Sequence, residues 1–138
     1  MSAAENLGPW DDRSVRVTLA IRTISENNAR EHWASRAKRR NGQRQVVHLV
    51  LPMHLRKCRP TGPYVITLTR IAPRRLDSDN LQGALKAVRD QVAAELGIND
   101  GDEAHEWRYS QRPYDRVRKE VGLQVGGYGV EIRVEARR

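Results

Sequence analysis

Apolar and polar residues alternate in the first and last regular segments of the chain. In residues 15–22 (VRVTLAIR) every second position is apolar, and residues 129–137 (GVEIRVEAR) repeat this period of two. Such alternation is typical of strands that bury one face. Residues 64–71 (YVITLTRI) are rich in β-branched side chains, and together with residues 106–111 (EWRYSQ) they predict two further strands.

Two segments in the middle of the chain predict helices. Residues 44–58 are dense in Val and Leu, and Pro52 is expected to kink this helix or to end its first half. Between residues 81 and 96 the apolar positions recur with helical spacing, and Gly97 suits the C-cap.

The predicted order of elements is β-α-β-α-β-β, which indicates a single α+β domain with a mixed sheet covered by two main helices. The chain has 138 residues, a length that fits one domain. Residues 1–13 predict a polar N-terminal tail. Residues 112–127 predict a basic excursion that is either hairpin-like or disordered.

The amino-acid composition limits which partners and which cellular location are expected. Lys and Arg number 25 against 17 acids, and the net charge of +8 favours a polyanionic partner, nucleic acid ahead of an anionic membrane. Cys58 is the only cysteine, so no intramolecular disulfide is expected, and zinc-ligand spacing is absent. No apolar run approaches the roughly 20 residues of a membrane span, and the N-terminus is unlike a signal peptide. We therefore expect a cytoplasmic protein with no membrane partner.

The charge is unevenly distributed along the chain. Residues 76–106 hold eight acids and two bases, a net charge of −6, which leaves +14 on the remainder. An acidic segment in a basic chain is suited to binding a cation while the basic surround binds phosphates. A solvated acidic face explains the same counts equally well.

The polar, basic segment 29–45 is the first candidate for binding DNA, and it predicts either a helix up to Asn41-Gly42 or a loop. Its bases would hold phosphates while Trp33 stacks on an unpaired base. Alternatively, the segment is a solvated turn with Trp33 in the core. A pair of arginines further along the chain, Arg74 and Arg75, is predicted to bind DNA as well. The full set of predicted DNA-binding residues is Trp33, Arg36, Lys38, Arg39, Arg40, Arg44, Arg74 and Arg75.

The acid pair in RRLDSDNLQGALK, residues 74–86, is the second candidate site. In extended backbone Asp77 and Asp79 would point the same way, and two converging carboxylates suit Mg²⁺. The simpler interpretation makes Asp79 a helix N-cap and Asp77 a solvated turn residue. For Asp-X-Asp alone this simpler interpretation is the stronger one.

Lys86 supports the metal interpretation. It follows Asp79 by seven residues, nearly two helical turns, and Gly83 lies between them without a side chain. Its ammonium is therefore predicted to reach toward the carboxylates and stabilise developing negative charge. Alternatively, Lys86 forms an i,i+4 pair with Asp90, which leaves Gly83 as an unexplained cost of about 1 kcal/mol in a helix interior.

A second acidic cluster, GINDGDE, occupies residues 97–103. Taken alone, it predicts an Asn-Asp-Gly turn. If the predicted strand–helix–strand unit brings this cluster back to the first acid pair, Asp100 or Asp102 would lie beside Asp77 and Asp79. A third carboxylate would complete a metal site for phosphoryl transfer.

These segments resemble the RusA family of Holliday junction resolvases. The resemblance rests on RRLDSDNLQGALKAVRD, LGINDGDE and EWRYSQR, with the basic stretch SENNAREHWASRAKRRNGQR upstream, and it covers roughly residues 25 to 134. The chain departs from the family pattern at Gly83, where the family has a lysine. Lys86, one turn later, is the candidate to take its place.

The resemblance implies a homodimeric, Mg²⁺-dependent endonuclease of bacterial or phage origin, with Mn²⁺ as an alternative ion. Its substrate would be the four-way DNA junction, resolved by paired symmetric nicks in DNA recombination and repair. The family's metal-binding aspartates fall on Asp77, Asp79 and Asp100, with Asp102 as a second candidate for the last, and Lys86 joins the predicted catalytic group. Two alternatives remain, a non-catalytic DNA-binding module and a Mg²⁺ enzyme acting on free nucleotides.

Overall fold

The computed structural model describes residues 14–25, 32–99, 101–113 and 127–137. The elements in chain order are β1 (Val15–Leu19), α1 (Trp33–Lys57), β2 (Tyr64–Ile71), α2 (Ser78–Ala84), α3 (Lys86–Leu96), β3 (Glu106–Arg112) and β4 (Gly129–Ala136). The predicted order of strands and helices and the α+β class are confirmed. The predicted polar tail and almost all of the predicted basic excursion lie outside the described residues.

The four strands form one mixed sheet in the order β1-β4-β2-β3. β4 runs antiparallel to both of its neighbours, with Ile132 aligned to Val17 on one side and to Leu68 on the other. β2 and β3 run parallel, with Leu68 aligned to Tyr109. Strands β1, β2 and β3 therefore finish at the same end of the sheet, called here the carboxyl end, and the opposite end is the amino end.

The apolar core lies between one face of the sheet and the helices. The alternating apolar residues of β1 and β4 point into this core, as their pattern predicts. The helices add aliphatic side chains, and burying each one fully contributes about 1.5–3 kcal/mol. The core residues with no exposed surface include Val47, Leu51, Ile66, Leu68, Leu85, Val88, Val92, Val130, Ile132 and Val134.

Helix α1 is longer than the sequence predicts. It runs unbroken from Trp33 to Lys57, so the expected break at Asn41-Gly42 is wrong. Of the two alternatives for Pro52, the end of the helix is wrong and the kink stays a prediction. Leu51 and Leu55 on either side of the proline are buried, and this packing holds the helix together where Pro52 lacks a main-chain N–H. Among the described residues no helix is both long enough and apolar enough to cross a membrane.

The second predicted helix is divided at Leu85, which has φ −99° and ψ 1°. Main-chain hydrogen bonds still cross the division. The Leu85 N–H donates to the Leu81 carbonyl (3.2 Å), and the Arg89 N–H donates to the Leu85 carbonyl (2.9 Å). Helices α2 and α3 therefore continue as one ridge, which ends at Gly97 in the predicted C-cap with φ 69°.

This ridge is the crossover that parallel strands require. It starts after the carboxyl end of β2 and runs back over 19 residues, about 28 Å, before β3 begins. The start of α2 and the turn that follows α3 therefore lie at opposite ends of the sheet.

Alanine substitutions at Gly97, the C-cap of α3, and at Gly42, inside α1, test where these helices end. We expect Gly97→Ala to lower the free energy of unfolding by about 1–2 kcal/mol, because the left-handed conformation is unfavourable for a residue with a Cβ. Gly42→Ala is expected to raise it by up to about 1 kcal/mol, since an added Cβ meets nothing within 4 Å and Ala favours helix. Urea denaturation measures both, and a stabilising Gly97→Ala would contradict the C-cap.

Candidate functional site

The linker of residues 72–77 joins β2 to α2 at the carboxyl end of the sheet, and two side chains hold it. Gln111 of β3 accepts a hydrogen bond from the Leu76 N–H (2.9 Å) and donates one to the Leu76 carbonyl (2.7 Å). Arg70 of β2 donates to the Arg74 carbonyl (2.7 Å). The backbone leading into Asp77 is therefore fixed on the sheet at three points.

Arg70 is itself a buried cation, with 5% of its surface exposed. It also donates to the Thr23 hydroxyl (2.8 Å), so its described hydrogen-bond partners are neutral oxygens. Burial lowers the pKa of its guanidinium, while Tyr128 opposes that shift. A buried positive charge at this end of the sheet makes the surrounding surface more attractive to anions.

Asp77 is the N-cap of α2. Its Oδ1 accepts a hydrogen bond from the Asn80 N–H at 2.9 Å. Asp79 lies in the first helical turn and is exposed. The prediction that Asp79 is the cap is wrong, and so is the argument that extended backbone aligns both carboxylates, because α2 already begins at Ser78. Both acids lie at the positive end of the helix dipole, which stabilises a carboxylate by about 0.3–1 kcal/mol.

The acidic turn after α3 is a hydrogen-bonded structure at the amino end. Asp102 Oδ1 accepts a hydrogen bond from the Ala104 N–H at 2.9 Å, and its other oxygen lies 3.8 Å from His105 Nε2. His105 Nδ1 faces the Tyr64 N–H at 3.0 Å, where β2 begins. Because Nδ1 accepts this hydrogen bond, the proton of the neutral ring is on Nε2, toward Asp102.

Asp102 therefore stands apart from Asp77 and Asp79 within one chain. The ridge between them is about 28 Å long, so the expectation that Asp102 meets the acid pair within one chain is wrong. Asp100 lies outside the described residues, and its place in the site stays a prediction. No group of three or more His, Cys, Asp or Glu side chains in the described part of the chain is arranged to hold a metal.

The acid pair alone meets the smaller requirement of Mg²⁺. This ion binds through one or two carboxylates together with waters and substrate phosphates. One oxygen of Asp77 and the whole carboxylate of Asp79 have no hydrogen-bond or ion-pair partner among the described residues. These oxygens are therefore available to a metal site that a substrate phosphate completes, and the described residues form no preformed protein cage.

A basic groove lies between α1 and the ridge. A pocket of about 240 Å³ is lined by Arg40, Arg44 and Lys86, and Asp90 is the one acid among its described lining residues. A second pocket of about 320 Å³ shares Lys86 and adds Arg89. The four cations that line these two pockets, Arg40, Arg44, Lys86 and Arg89, are called here the cationic strip.

Lys86 belongs to this strip and not to the acid pair. Its ammonium lies 3.4 Å from the Asp90 carboxylate, so the i,i+4 pair is the alternative that the structure bears out. The predicted adjacency of Lys86 and Gly83 is also present, because both line the same pocket. The side chain is exposed and the ion pair is weak, so a phosphate can compete for it.

The predicted DNA-binding residues fall into groups. Arg40 and Arg44 meet Lys86 in the groove. Trp33 is 75% exposed, so the alternative that buries it in the core is wrong, and it precedes Arg40 by seven residues on the same side of α1. Along α1, Lys38 is exposed while Arg36 and Arg39 are half-buried. In the linker Arg74 and Arg75 are exposed beside Asp77.

Arg89 and Tyr109 are site residues that the sequence did not reveal. The guanidinium carbon of Arg89 lies 4.7 Å from the centre of the Trp107 ring, and Nη1 donates a hydrogen bond to the Tyr109 hydroxyl. Trp107 and Tyr109 are two residues apart in β3, so the sequence indicated that their side chains lie on the same face of this strand. Only the packing of β3 beside α3 brings that face to Arg89.

No protein-family model matches this chain, and none of the curated proteins matches it. The resemblance to the RusA resolvases therefore stays a prediction from the quoted motifs.

The two hydrogen bonds between Gln111 and Leu76 of the linker can be tested by measuring the free energy of unfolding. We expect Gln111→Met to lower the free energy of unfolding by about 1–3 kcal/mol, because it leaves the Leu76 N–H and carbonyl without their partner. Gln45→Met is the matched control on the exposed side of α1 and should change stability by less than about 0.5 kcal/mol. Equal effects of the two changes in urea denaturation would contradict a linker held by Gln111.

Proposed function

We propose that this chain is a Mg²⁺-dependent endonuclease that cuts branched DNA, with the four-way junction as its substrate. The observation that carries the proposal is the placement of the acid pair and of two cations of the strip along one helical ridge, with the other two cations facing them from α1. Asp77 and Asp79 lie at the start of the ridge, and Lys86 and Arg89 follow on α3. From Asp79 to Lys86 the rise along the helix is about 10 Å, within the reach of adjoining nucleotides of one strand.

In this proposal the basic residues bind and orient the DNA. Arg40, Arg44 and Lys86 hold successive phosphates in the groove, and the exposed Arg74 and Arg75 hold phosphates near the acid pair. Phosphate contacts fix the position of a strand without reading its sequence. A strand held in this way presents one phosphodiester to the acid pair.

The acid pair supplies the metal ligands. When bound there, Mg²⁺ supplies a water of lowered pKa and neutralises charge on the phosphoryl oxygens. Asp79 offers a carboxylate with no described partner, and Asp77 offers the oxygen that does not cap α2. The cap hydrogen bond holds Asp77 in one rotamer, which keeps its second oxygen in place for a ligand.

The proposed enzyme acts as a homodimer in the cytoplasm, in DNA recombination and repair. Paired cuts in two opposed strands require two sites related by symmetry, and a two-fold dimer provides them. A second copy is also the source from which an acidic turn can approach the acid pair, because Asp102 of the same chain lies at the amino end.

A second candidate is a DNA-binding module without catalysis. It is favoured by the structural roles that the acids already have, since Asp77 caps α2 and Asp102 closes the turn after α3. Such a module binds through the cationic strip alone and needs no metal ion.

Cleavage of a synthetic four-way junction, with Mg²⁺ and with EDTA, tests the enzyme. We expect symmetric nicks in the junction and none in linear duplex, and only with Mg²⁺. Asp77→Asn should reduce the rate on the order of 100-fold or more, because the metal loses a charged ligand. Asn is as good an N-cap as Asp, so the fold is retained. Glu135→Gln, on β4 at the amino end, is the control that should leave the rate unchanged.

Three outcomes of this experiment decide between the candidates. Normal cutting by Asp77→Asn would refute the metal assignment. Tight junction binding without cutting in Mg²⁺ or Mn²⁺ would favour the binding module. If the wild type cuts, Asp102→Asn shows whether the acid pair suffices, since a loss of cutting there would mean that a second copy supplies the acidic turn.

Salt dependence tests the groove separately from catalysis. The logarithm of the DNA affinity should fall linearly with the logarithm of salt concentration, and Arg40→Gln with Arg44→Gln should reduce the slope by about 2. Lys57→Gln, at the far end of α1, should leave the slope unchanged. Fluorescence anisotropy in EDTA measures all three proteins, and an unchanged slope in the double variant would exclude the groove as the DNA path.

A further inference from the structure

The pocket of about 320 Å³ lies where α2 passes into α3 and faces β3. Its walls are Gln82 and Gly83 from α2, Lys86 and Arg89 from α3, and Tyr109 from β3. Pockets for small molecules span about 300–1,000 Å³, so this pocket has room for one nucleotide unit but not for a duplex.

Arg89 is held in place before any ligand arrives. Its guanidinium carbon lies 4.7 Å from the Trp107 ring centre and 5.9 Å from that of Tyr109, and Nη1 donates to the Tyr109 hydroxyl. A planar guanidinium fixed against a ring loses little conformational freedom when it binds an acceptor. Arg89 therefore lines the pocket with a guanidinium whose orientation is already fixed.

The lining is rich in hydrogen-bond donors, and none of its described residues carries a carboxylate. Lys86 brings an ammonium, Arg89 a guanidinium and Gln82 an amide. Such a set suits ligands with several acceptors, namely phosphate oxygens and the O6 and N7 atoms of guanine. Guanidinium planes and aromatic rings are also the surfaces on which unpaired bases stack.

We propose that this pocket receives one unpaired nucleotide of the bound DNA, with guanine preferred. Lys86 lines both this pocket and the groove between α1 and α3, so a strand that follows the groove passes the pocket mouth. The proposal rests on the proposed binding of DNA but not on its cleavage. It also gives a physical basis for selecting branched DNA, since a branch point offers unpaired bases without the cost of unstacking a duplex.

Four duplexes of otherwise one sequence test the pocket in EDTA, where no cutting occurs. One carries a single bulged guanine, one a bulged adenine, one an abasic site at the bulge, and one is fully paired. We expect the wild type to bind the bulged guanine roughly tenfold more tightly than the abasic bulge. A bulged adenine should bind several-fold more weakly than guanine, because its edge has fewer acceptors.

Gly83→Leu fills the pocket while every cation of the strip remains. This variant should lose the preference for the bulged guanine yet bind the paired duplex as the wild type does. Gly42→Leu adds the same side chain to α1, where an added Cβ meets nothing within 4 Å, and should keep the preference. Gln82→Leu removes a donor from an exposed position and should weaken binding of the bulged guanine several-fold, so the proposal is testable even if Gly83→Leu does not fold.

Equal affinity of the wild type for the guanine bulge and the abasic bulge would overturn the proposal. So would a full guanine preference in folded Gly83→Leu, or in Gln82→Leu if Gly83→Leu does not fold. Failure to cut junctions, with the guanine preference intact, would refute the nuclease and leave the pocket standing. Failure to bind any of the duplexes would refute the proposed DNA binding and the pocket together.

Discussion

The parallel pairing of β2 with β3 is the constraint on which the arrangement of charges in this protein depends. Parallel neighbours cannot be joined by a tight turn, so the chain has to travel back along the sheet between them. The α2–α3 ridge makes this return. Residues that follow β2 are thereby separated from residues that precede β3 by the whole length of the ridge. Asp77 and Asp102 lie on opposite sides of that separation.

The same crossover explains why acids follow the basic residues Arg74 and Arg75 in the connection between β2 and α2. The start of α2 exposes main-chain N–H groups, and Asp77 satisfies one of them as the N-cap. Asp79 has no such partner in the described chain, although the helix dipole favours its charge. Asp79 is the residue to which the proposed metal site and the purely structural interpretation assign different roles.

Polar contacts tie together the segments at the carboxyl end of the sheet. Besides Gln111 and Arg70, the Ser25 hydroxyl donates to Asn80 Oδ1 at 2.8 Å and ties the segment after β1 to the first turn of α2. The amide of Gln43 donates to the Arg22 carbonyl at 3.0 Å, so α1 is tied to the same segment. Through these bonds the acid pair and the basic side of α1 keep a fixed relation, which a site acting on one bound strand requires.

Local features of the chain were readable from its sequence. The period-two alternation identified β1 and β4, and Gly97 marked the end of the ridge, because these features depend on the conformation of neighbouring residues alone. Arg40 and Arg44 were readable as a basic pair, since spacing along one helix is also local. The continuity of α1 through Pro52 was not, because burial of the flanking leucines outweighs the local preference of proline.

Relations between distant segments were decided only by the tertiary structure. The sequence showed two acidic clusters, but which strand lies beside β2, and in which direction, determined that Asp77 and Asp102 do not meet within one chain. The pocket formed by Arg89 and Tyr109 likewise exists because β3 packs beside α3. The sequence by itself determined which segments form strands or helices and how many charged residues they carry, because these properties follow from short-range periodicity and composition. The tertiary structure decided which charges share a surface, because that depends on long-range strand pairing that no local pattern encodes.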